Sequence, residues 1–225
     1  MQEHIKPHKL KDVLKESDLW IKNVKNTERI MDFCSAIFAF SVTLLIIQIA
    51  VPIDWTEKSL YDEFQILWPE VLGYLICFYV IVKFWMSNLH MFSYIKILNR
   101  NFLILICVML LTITFLPFPS DLFSTHFNKI TTTMIFGLSI ALVAFMTFLV
   151  WLYLYFHKEL HFENIDKKVI LYNSFLAFNI ALSFGLAVAC MMLTNNINLM
   201  WIFYLIFIIL FNFITRKIAK NYAIK

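Results

Sequence analysis

Residues 29–52 read RIMDFCSAIFAFSVTLLIIQIAVP, and this stretch decides the class of fold. Residues 30–51 are mostly apolar, and Pro52 is expected to stop a helix because proline lacks a backbone N–H. The hydrocarbon core of a bilayer is about 30 Å thick, and about 20 apolar residues cross it as a helix. The stretch therefore predicts a transmembrane helix.

Five further apolar segments of similar length follow along the chain. We predict spans over residues 66–92, 101–118, 131–156, 169–193 and 197–214. The composition agrees, because 61% of the residues are hydrophobic and only 15% are charged, whereas soluble domains carry about 25% charged residues. We therefore predict an all-α polytopic membrane protein of six transmembrane helices.

Basic residues are distributed unevenly between the two sides of the predicted spans. Sixteen of the 19 Lys and Arg residues lie in the two terminal tails and the second and fourth loops, against only Lys58 and Lys129 in the opposite loops. Lys83 lies within the second span. The positive-inside rule then predicts that both termini are cytoplasmic. Abundant Ile, Lys, Phe and Asn suggest a low-GC genome, and hence a prokaryotic plasma membrane.

This pattern divides the chain into three parts. Residues 1–28 form a cytoplasmic tail, in which Leu10, Val13, Leu14 and Ile21 recur at helical spacing and predict a short amphipathic helix. We expect that helix to lie on the inner leaflet or to pack against a partner subunit. Residues 29–215 form the six-helix transmembrane domain, and residues 216–225 form a basic cytoplasmic tail.

No pattern for catalysis, a cofactor, a structural metal or nucleic acid is present in the sequence, so an enzyme is not expected. The four cysteines have no metal-ligand spacing and are expected to be buried thiols. His157 and His161 are four residues apart, a weak metal signal, and with His126 they are expected to be solvated loop side chains. The only Gly-Tyr pair, at Gly73, lies in a continuous apolar span, so we do not expect a carbonyl-lined potassium filter.

The first span carries more polar residues than a lipid-facing helix tolerates, and these are expected to face a bundle interior or an aqueous path. They also fit simple hydrogen bonding between helices. On one face, Phe40, Leu44 and Ile47 are spaced i, i+4 and i+7. Around a symmetry axis these side chains would form a hydrophobic constriction, although apolar stripes more often form ordinary core. Arg29 and Asp32 are three residues apart and can pair at the cytoplasmic end.

Three blocks of the sequence resemble the transmembrane-protein-175 potassium channel family. The first block resembles that family's first helix, which begins Arg-x-x-x-Phe-Ser-Asp and continues with a run like Ala-x-Phe-Ala-Ile-x-x-Thr-Leu-Leu. The second block runs from Trp85 to Phe92, and the third covers residues 101–119 with its Leu116-Pro117-Phe118. The matching residues of the first block are Arg29, Phe33, Ala36, Phe38, Ala39, Thr43, Leu44 and Leu45.

The resemblance implies a homotetramer of six-helix subunits whose pore is lined by the first helix and has no carbonyl filter. It implies that Phe40 occupies the constriction, with Leu44 and Ile47 on further apolar layers. Thr43 matches a threonine that supports selectivity for potassium. Partners are then other copies of the chain, monovalent cations with K⁺ foremost, and the lipid bilayer.

The chain departs from the family at an interhelical polar network. The family's Phe-Ser-Asp is Phe33-Cys34-Ser35 here, and Asn88 and Leu89 stand where the second block has its histidine, next to the retained Trp85. We expect Asp32 to replace the lost acid as the partner of Arg29. The expected network consists of Arg29, Asp32, Cys34, Ser35, Trp85 and Asn88.

The function predicted from these observations is a potassium-permeable cation channel, with proton or sodium leak as a variant. Two alternatives remain open. The altered motif and the bulky Phe40 fit a non-conducting membrane assembly protein with the family fold. A small secondary transporter is disfavoured, because no inverted repeat is apparent and no Gly- or Pro-broken helix lies at the bilayer midplane.

Overall fold

The computed structural model describes residues 24–49, 60–126, 129–163 and 165–223, and these form an all-α bundle. The predicted N-terminal amphipathic helix and Pro52 lie outside the described residues. The helices are α1 (Val24–Ile47), α2 (Leu60–Phe92), α3 (Arg100–Phe115), α4 (Pro117–Thr125), α5 (Ile130–Phe156), α6 (Lys167–Thr194) and α7 (Ile197–Ala223), with a short 3₁₀ turn at Lys158–Leu160.

Six stretches of these helices are long and apolar enough to cross a bilayer, which confirms the six predicted spans. They cover Thr27–Ile47, Leu67–Phe92, Arg100–Thr125, Ile130–Phe156, Lys167–Thr194 and Ile197–Lys217. The helix of the last span continues to Ala223, beyond residue 215 where the transmembrane domain was predicted to end.

The third span is longer than predicted, because a second short helix follows the first directly at the prolines. Pro117 has no N–H to donate, and α3 ends just before it with Leu116 donating its N–H to the Ile113 carbonyl at 3.1 Å. A proline is tolerated in the first turn of a helix, where the N–H has no intrahelical partner. Pro117 therefore starts α4. The third span was predicted to end at residue 118, but it continues through α4 to Thr125.

The helices pack around one large core cluster, and a second, smaller cluster lies between α5, α6 and α7. α1 packs against α2, α3 and α4, and α5 packs against α3, α4 and α6. α7 packs chiefly against α6, where Phe184 and Tyr204 stack with their ring centroids 4.0 Å apart. Phe123 of α4 stacks on Phe136 of α5 at 5.0 Å. The bundle therefore holds α1 on one side and α7 on another, each with a face that no described helix covers.

Side-chain hydrogen bonds join several pairs of helices among the described residues. Asn179 of α6 donates to Thr215 Oγ1 at 2.9 Å and to Asn212 Oδ1 at 3.3 Å, both on α7. Ser120 of α4 donates to the Gly73 carbonyl of α2 at 3.3 Å. In hydrocarbon, where no water can satisfy such groups, these bonds fix the rotation of each helix against its neighbour.

Candidate functional site

The candidate site is the face of α1 that the rest of the bundle leaves uncovered. Its opposite face is buried among α2, α3 and α4, and holds Cys34, Phe38, Ser41 and Leu45, all at most 2% exposed. The uncovered face holds Asp32, Phe33, Ala36, Ala39, Phe40, Thr43, Ile46 and Ile47. This division follows the helical period, because residues three and four apart fall on one side of the helix.

The three residues predicted to form a constriction are not equally placed. Phe40 and Ile47 are 61% and 75% exposed, so the described part of the chain leaves most of each side chain uncovered. Leu44 lies between the two faces and is half-buried. The structure therefore brings Phe40 and Ile47 to one free surface and leaves Leu44 at its edge.

Two hydroxyl groups of α1, those of Ser41 and Thr43, donate to carbonyls of their own helix. Thr43 donates to the Phe40 carbonyl at 2.8 Å on the uncovered face, and Ser41 donates to the Ile37 carbonyl at 2.9 Å on the buried face. A hydroxyl has one proton to donate but two lone pairs to accept with. The Thr43 oxygen therefore keeps acceptor capacity on the uncovered face.

The predicted polar network is formed in part. Trp85 of α2 donates its indole N–H to Ser35 Oγ at 3.3 Å, and Cys34 beside it is fully buried. Asn88 is 3% exposed, and neither its Nδ2 nor its Oδ1 has a hydrogen-bond partner among the residues that the structure describes. Arg29 and Asp32 are both exposed, and no ion pair joins them within the described residues.

A hydrogen bond that was not predicted from the sequence holds the C-terminal end of α1 against the rest of the bundle. Gln48 Nε2 donates to the Pro117 carbonyl at 2.8 Å, across 69 residues of sequence. The amide thus joins the end of α1 to the point where α3 gives way to α4. A polar residue at the end of an apolar run was the only sequence signal for this contact.

Two expectations about cysteine and histidine need correction. Cys34 and Cys77 are buried as expected, but Cys107 is exposed and Cys190 is half-buried, because those positions of α3 and α6 face outward. His161 is not solvated: it is 6% exposed, because its backbone forms an isolated bridge with Ile95 that folds the loop inward. Among the described residues no group of three or more His, Cys, Asp or Glu could hold a metal ion.

Comparison with known proteins finds a family model, named relatives and solved structures that are similar to parts of this chain. Residues 29–117, which cover the first two spans and most of the third, match the family model described as "Endosomal/lysosomal potassium channel TMEM175". The chain is 27% identical over 101 residues to a protein named as a potassium channel from Streptomyces collinus, and 30% identical over 102 residues to one from Chamaesiphon minutus. These matches cover 45% and 44% of this chain, and 49% and 50% of the relatives, so the chain spans about half the length of the curated relatives it matches.

The fold is similar over a longer part of the chain. A solved structure, described as a lysosomal potassium-selective channel TMEM175 homolog from Chamaesiphon minutus, superposes with a TM-score of 0.70 at 20% identity. The superposition covers 85% of this chain and 98% of that one. The resemblance predicted from the sequence is therefore confirmed: this chain has the fold of a TMEM175 homolog, and residues 29–117 match that family's sequence model.

Proposed function

We propose that four copies of the chain surround a pore lined by α1 and conduct potassium ions across the plasma membrane. The observation that carries this proposal is the composition of the uncovered face of α1. It exposes Asp32 and Thr43 between apolar side chains, although lipid disfavours polar groups. On α7, by contrast, Asn212 and Thr215 turn toward α6. Along Ile202–Ile214 the exposed large side chains of α7 are Ile, Leu and Phe, and the exposed Arg216 and Lys217 stand only at the last two positions of the span. The exposed face of α7 therefore suits contact with lipid, whereas the uncovered face of α1 suits the lining of an aqueous path shared by the four copies.

The named relatives support the choice of ion. Two carry the name potassium channel, and a solved structure of the same fold is described as that of a potassium-selective channel homolog. We extend these descriptions to this chain as a proposal, with both termini cytoplasmic, as the distribution of Lys and Arg favours.

The proposed mechanism relies on hydrophobic constriction. Four copies of Phe40 would form the narrowest ring, and Ile47 and Leu44 further apolar layers, so that the pore closes by dewetting. Leu44 lies at the edge of the uncovered face, so a rotation of α1 would carry it toward or away from the axis. Dilation or rotation of α1 would then open the path, and the free lone pairs of Thr43 would support selectivity for potassium.

The polar network would hold α1 in place during this motion. The bond from Trp85 to Ser35 joins α1 to α2 on the side away from the pore. We propose that Asp32 pairs with Arg29 in the assembled channel, because both side chains are exposed in the single subunit. Cys34 and Asn88 would complete the contact as buried neutral groups.

Potassium flux from liposomes tests the proposal. Purified protein reconstituted with a potassium gradient should release potassium faster than protein-free vesicles, and faster than an equal sodium gradient drives sodium. Phe40→Ala should change the flux or its ion preference. The matched control is Phe213→Ala, because Phe213 is 65% exposed on α7 and Phe40 is 61% exposed on α1. Absence of flux from a verified tetramer would contradict the proposal.

A second candidate is a non-conducting assembly protein with the same fold. The bulk of Phe40 favours it, because four phenylalanine rings at one level occupy more of a narrow pore than smaller aliphatic side chains. The Phe40→Ala variant separates the two candidates. A closed wild type with a conducting Phe40→Ala variant would support an aromatic plug, whereas flux through the wild type would reject it.

A further inference from the structure

A cavity of about 580 Å³ lies between α2, α5, α6 and α7, on the far side of α2 from the site described above. One end is polar: Lys83 and Ser87 of α2, Tyr172 and Asn173 of α6, and Arg216 of α7 line it. The other end is lined by apolar side chains such as Ile180 and Phe184. The polar end lies on the side that the Lys and Arg count predicts to be cytoplasmic. The cavity is therefore amphipathic along the bilayer normal.

The charges of this cavity are not balanced. Lys83 and Arg216 both line it and both lie within spans, whereas no carboxylate is among the described residues that line it. The Lys83 amine lies 5.5 Å from the centroid of the Tyr79 ring, a weak partner for a full charge. Cations inside a span are costly and usually mark a binding site or a path. Lys83 and Arg216 are therefore expected to bind an anion in this cavity.

We propose that the cavity binds an anionic phospholipid of the cytoplasmic leaflet, with its phosphate between Lys83 and Arg216 and one acyl chain along Ile180 and Phe184. Basic pockets between transmembrane helices on the cytoplasmic side suit lipid head groups. A guanidinium matches the geometry of a phosphate, and a lysine can bend its long stem to bring the amine toward the head-group level. The apolar end then gives the lipid tail a surface that a free anion would not need. The site does not depend on whether the chain conducts ions.

Native mass spectrometry of the full chain in detergent tests this site, with dioleoylphosphatidylglycerol as the probe and dioleoylphosphatidylcholine as its zwitterionic counterpart. Wild-type protein should bind the anionic lipid at least five-fold more tightly. Each basic residue near anionic lipid is worth about five-fold in affinity, so the double variant Lys83→Met/Arg216→Gln should lose about 25-fold. Lys217→Gln is the matched control, because Lys217 is exposed on α7 and does not line the cavity. Equal losses in the control and the double variant would overturn the proposal.

Two further arms identify the occupant. Inorganic phosphate at the same concentration should not displace the lipid, and displacement would mean a site for free anions instead. The oligomeric state of Lys83→Met/Arg216→Gln should equal that of the wild type, and loss of assembly would assign the cavity to a contact between copies. If the double variant does not fold, Lys83→Met alone can be measured, because Lys83 is exposed and methionine should be tolerated there. This variant should bind the anionic lipid about five-fold more weakly, because it removes one basic residue. Unchanged binding in that variant would also overturn the proposal.

Discussion

Replacing Gly137 by alanine should destabilise the bundle, because α5 and α6 touch at this glycine. A Cβ added to Gly137 would lie 2.8 Å from Val188 Cγ2 and 3.4 Å from Met200 Sδ. A separation of 2.8 Å is closer than carbon atoms pack, so a side chain or a helix at this contact must shift. Met200 can bend away, but Val188 is 3% exposed and its branched side chain has little rotameric freedom.

The loss of stability caused by the clash can be isolated by comparison with a second glycine, Gly185. A Cβ added to Gly185 of α6 would meet nothing within 4 Å. Both substitutions gain the same helix propensity, about 1 kcal/mol at most, so the difference between the two variants isolates the clash. Overpacking typically costs about 1–3 kcal/mol. Gly137→Ala should therefore be less stable than Gly185→Ala by about that amount.

Reversible unfolding of the purified protein in mixed detergent micelles measures the difference. The double variant Gly137→Ala/Val188→Ala should recover much of the loss, because removing the Val188 methyl groups frees the space that the new Cβ needs. A coupling of about 0.5–3 kcal/mol between the two sites is typical of residues in contact. Equal stabilities for Gly137→Ala and Gly185→Ala, or no coupling to Val188, would refute the packing of α5 on α6 described above.

Three more variants probe the polar contacts. Asn179→Ala should cost about 0.5–2 kcal/mol in the same unfolding assay, because it breaks two bonds to α7. Asn173→Ala should cost less, because the Asn173 amide donates to the Val169 carbonyl of its own helix; the reverse order would contradict the α6–α7 contact. Trp85→Phe should cost about 1 kcal/mol through loss of the bond to Ser35, and should add little to Ser35→Ala; additive losses would show that the two side chains act separately. Asn88→Leu should raise stability by about 1–3 kcal/mol, because both polar atoms of the buried amide lack partners; a marked loss would show that Asn88 has a partner in the assembly.

Hydropathy was sufficient to predict the spans because bilayer thickness fixes the length of a crossing helix. The uncovered stripe of α1 was also accessible, since Phe40 and Ile47 share a face by helical periodicity alone. What the sequence missed depends on contacts between distant residues. The burial of His161 requires the bridge to Ile95, and the role of Gln48 requires the Pro117 carbonyl. The extension of the third span past Pro117 was missed because a proline that ends one helix can also begin the next.

The central claim, that the uncovered face of α1 lines an ion path, is tested most directly by a cysteine at Thr43. Thr43 is exposed on that face, and cysteine is close to threonine in size. The background should carry Cys107→Ser and Cys190→Ser, because Cys34 and Cys77 are already buried. In liposomes, a small cationic thiol reagent should abolish potassium flux through Thr43→Cys and leave Phe213→Cys unaffected. Full flux through a Thr43→Cys protein whose modification is verified by mass would contradict the account.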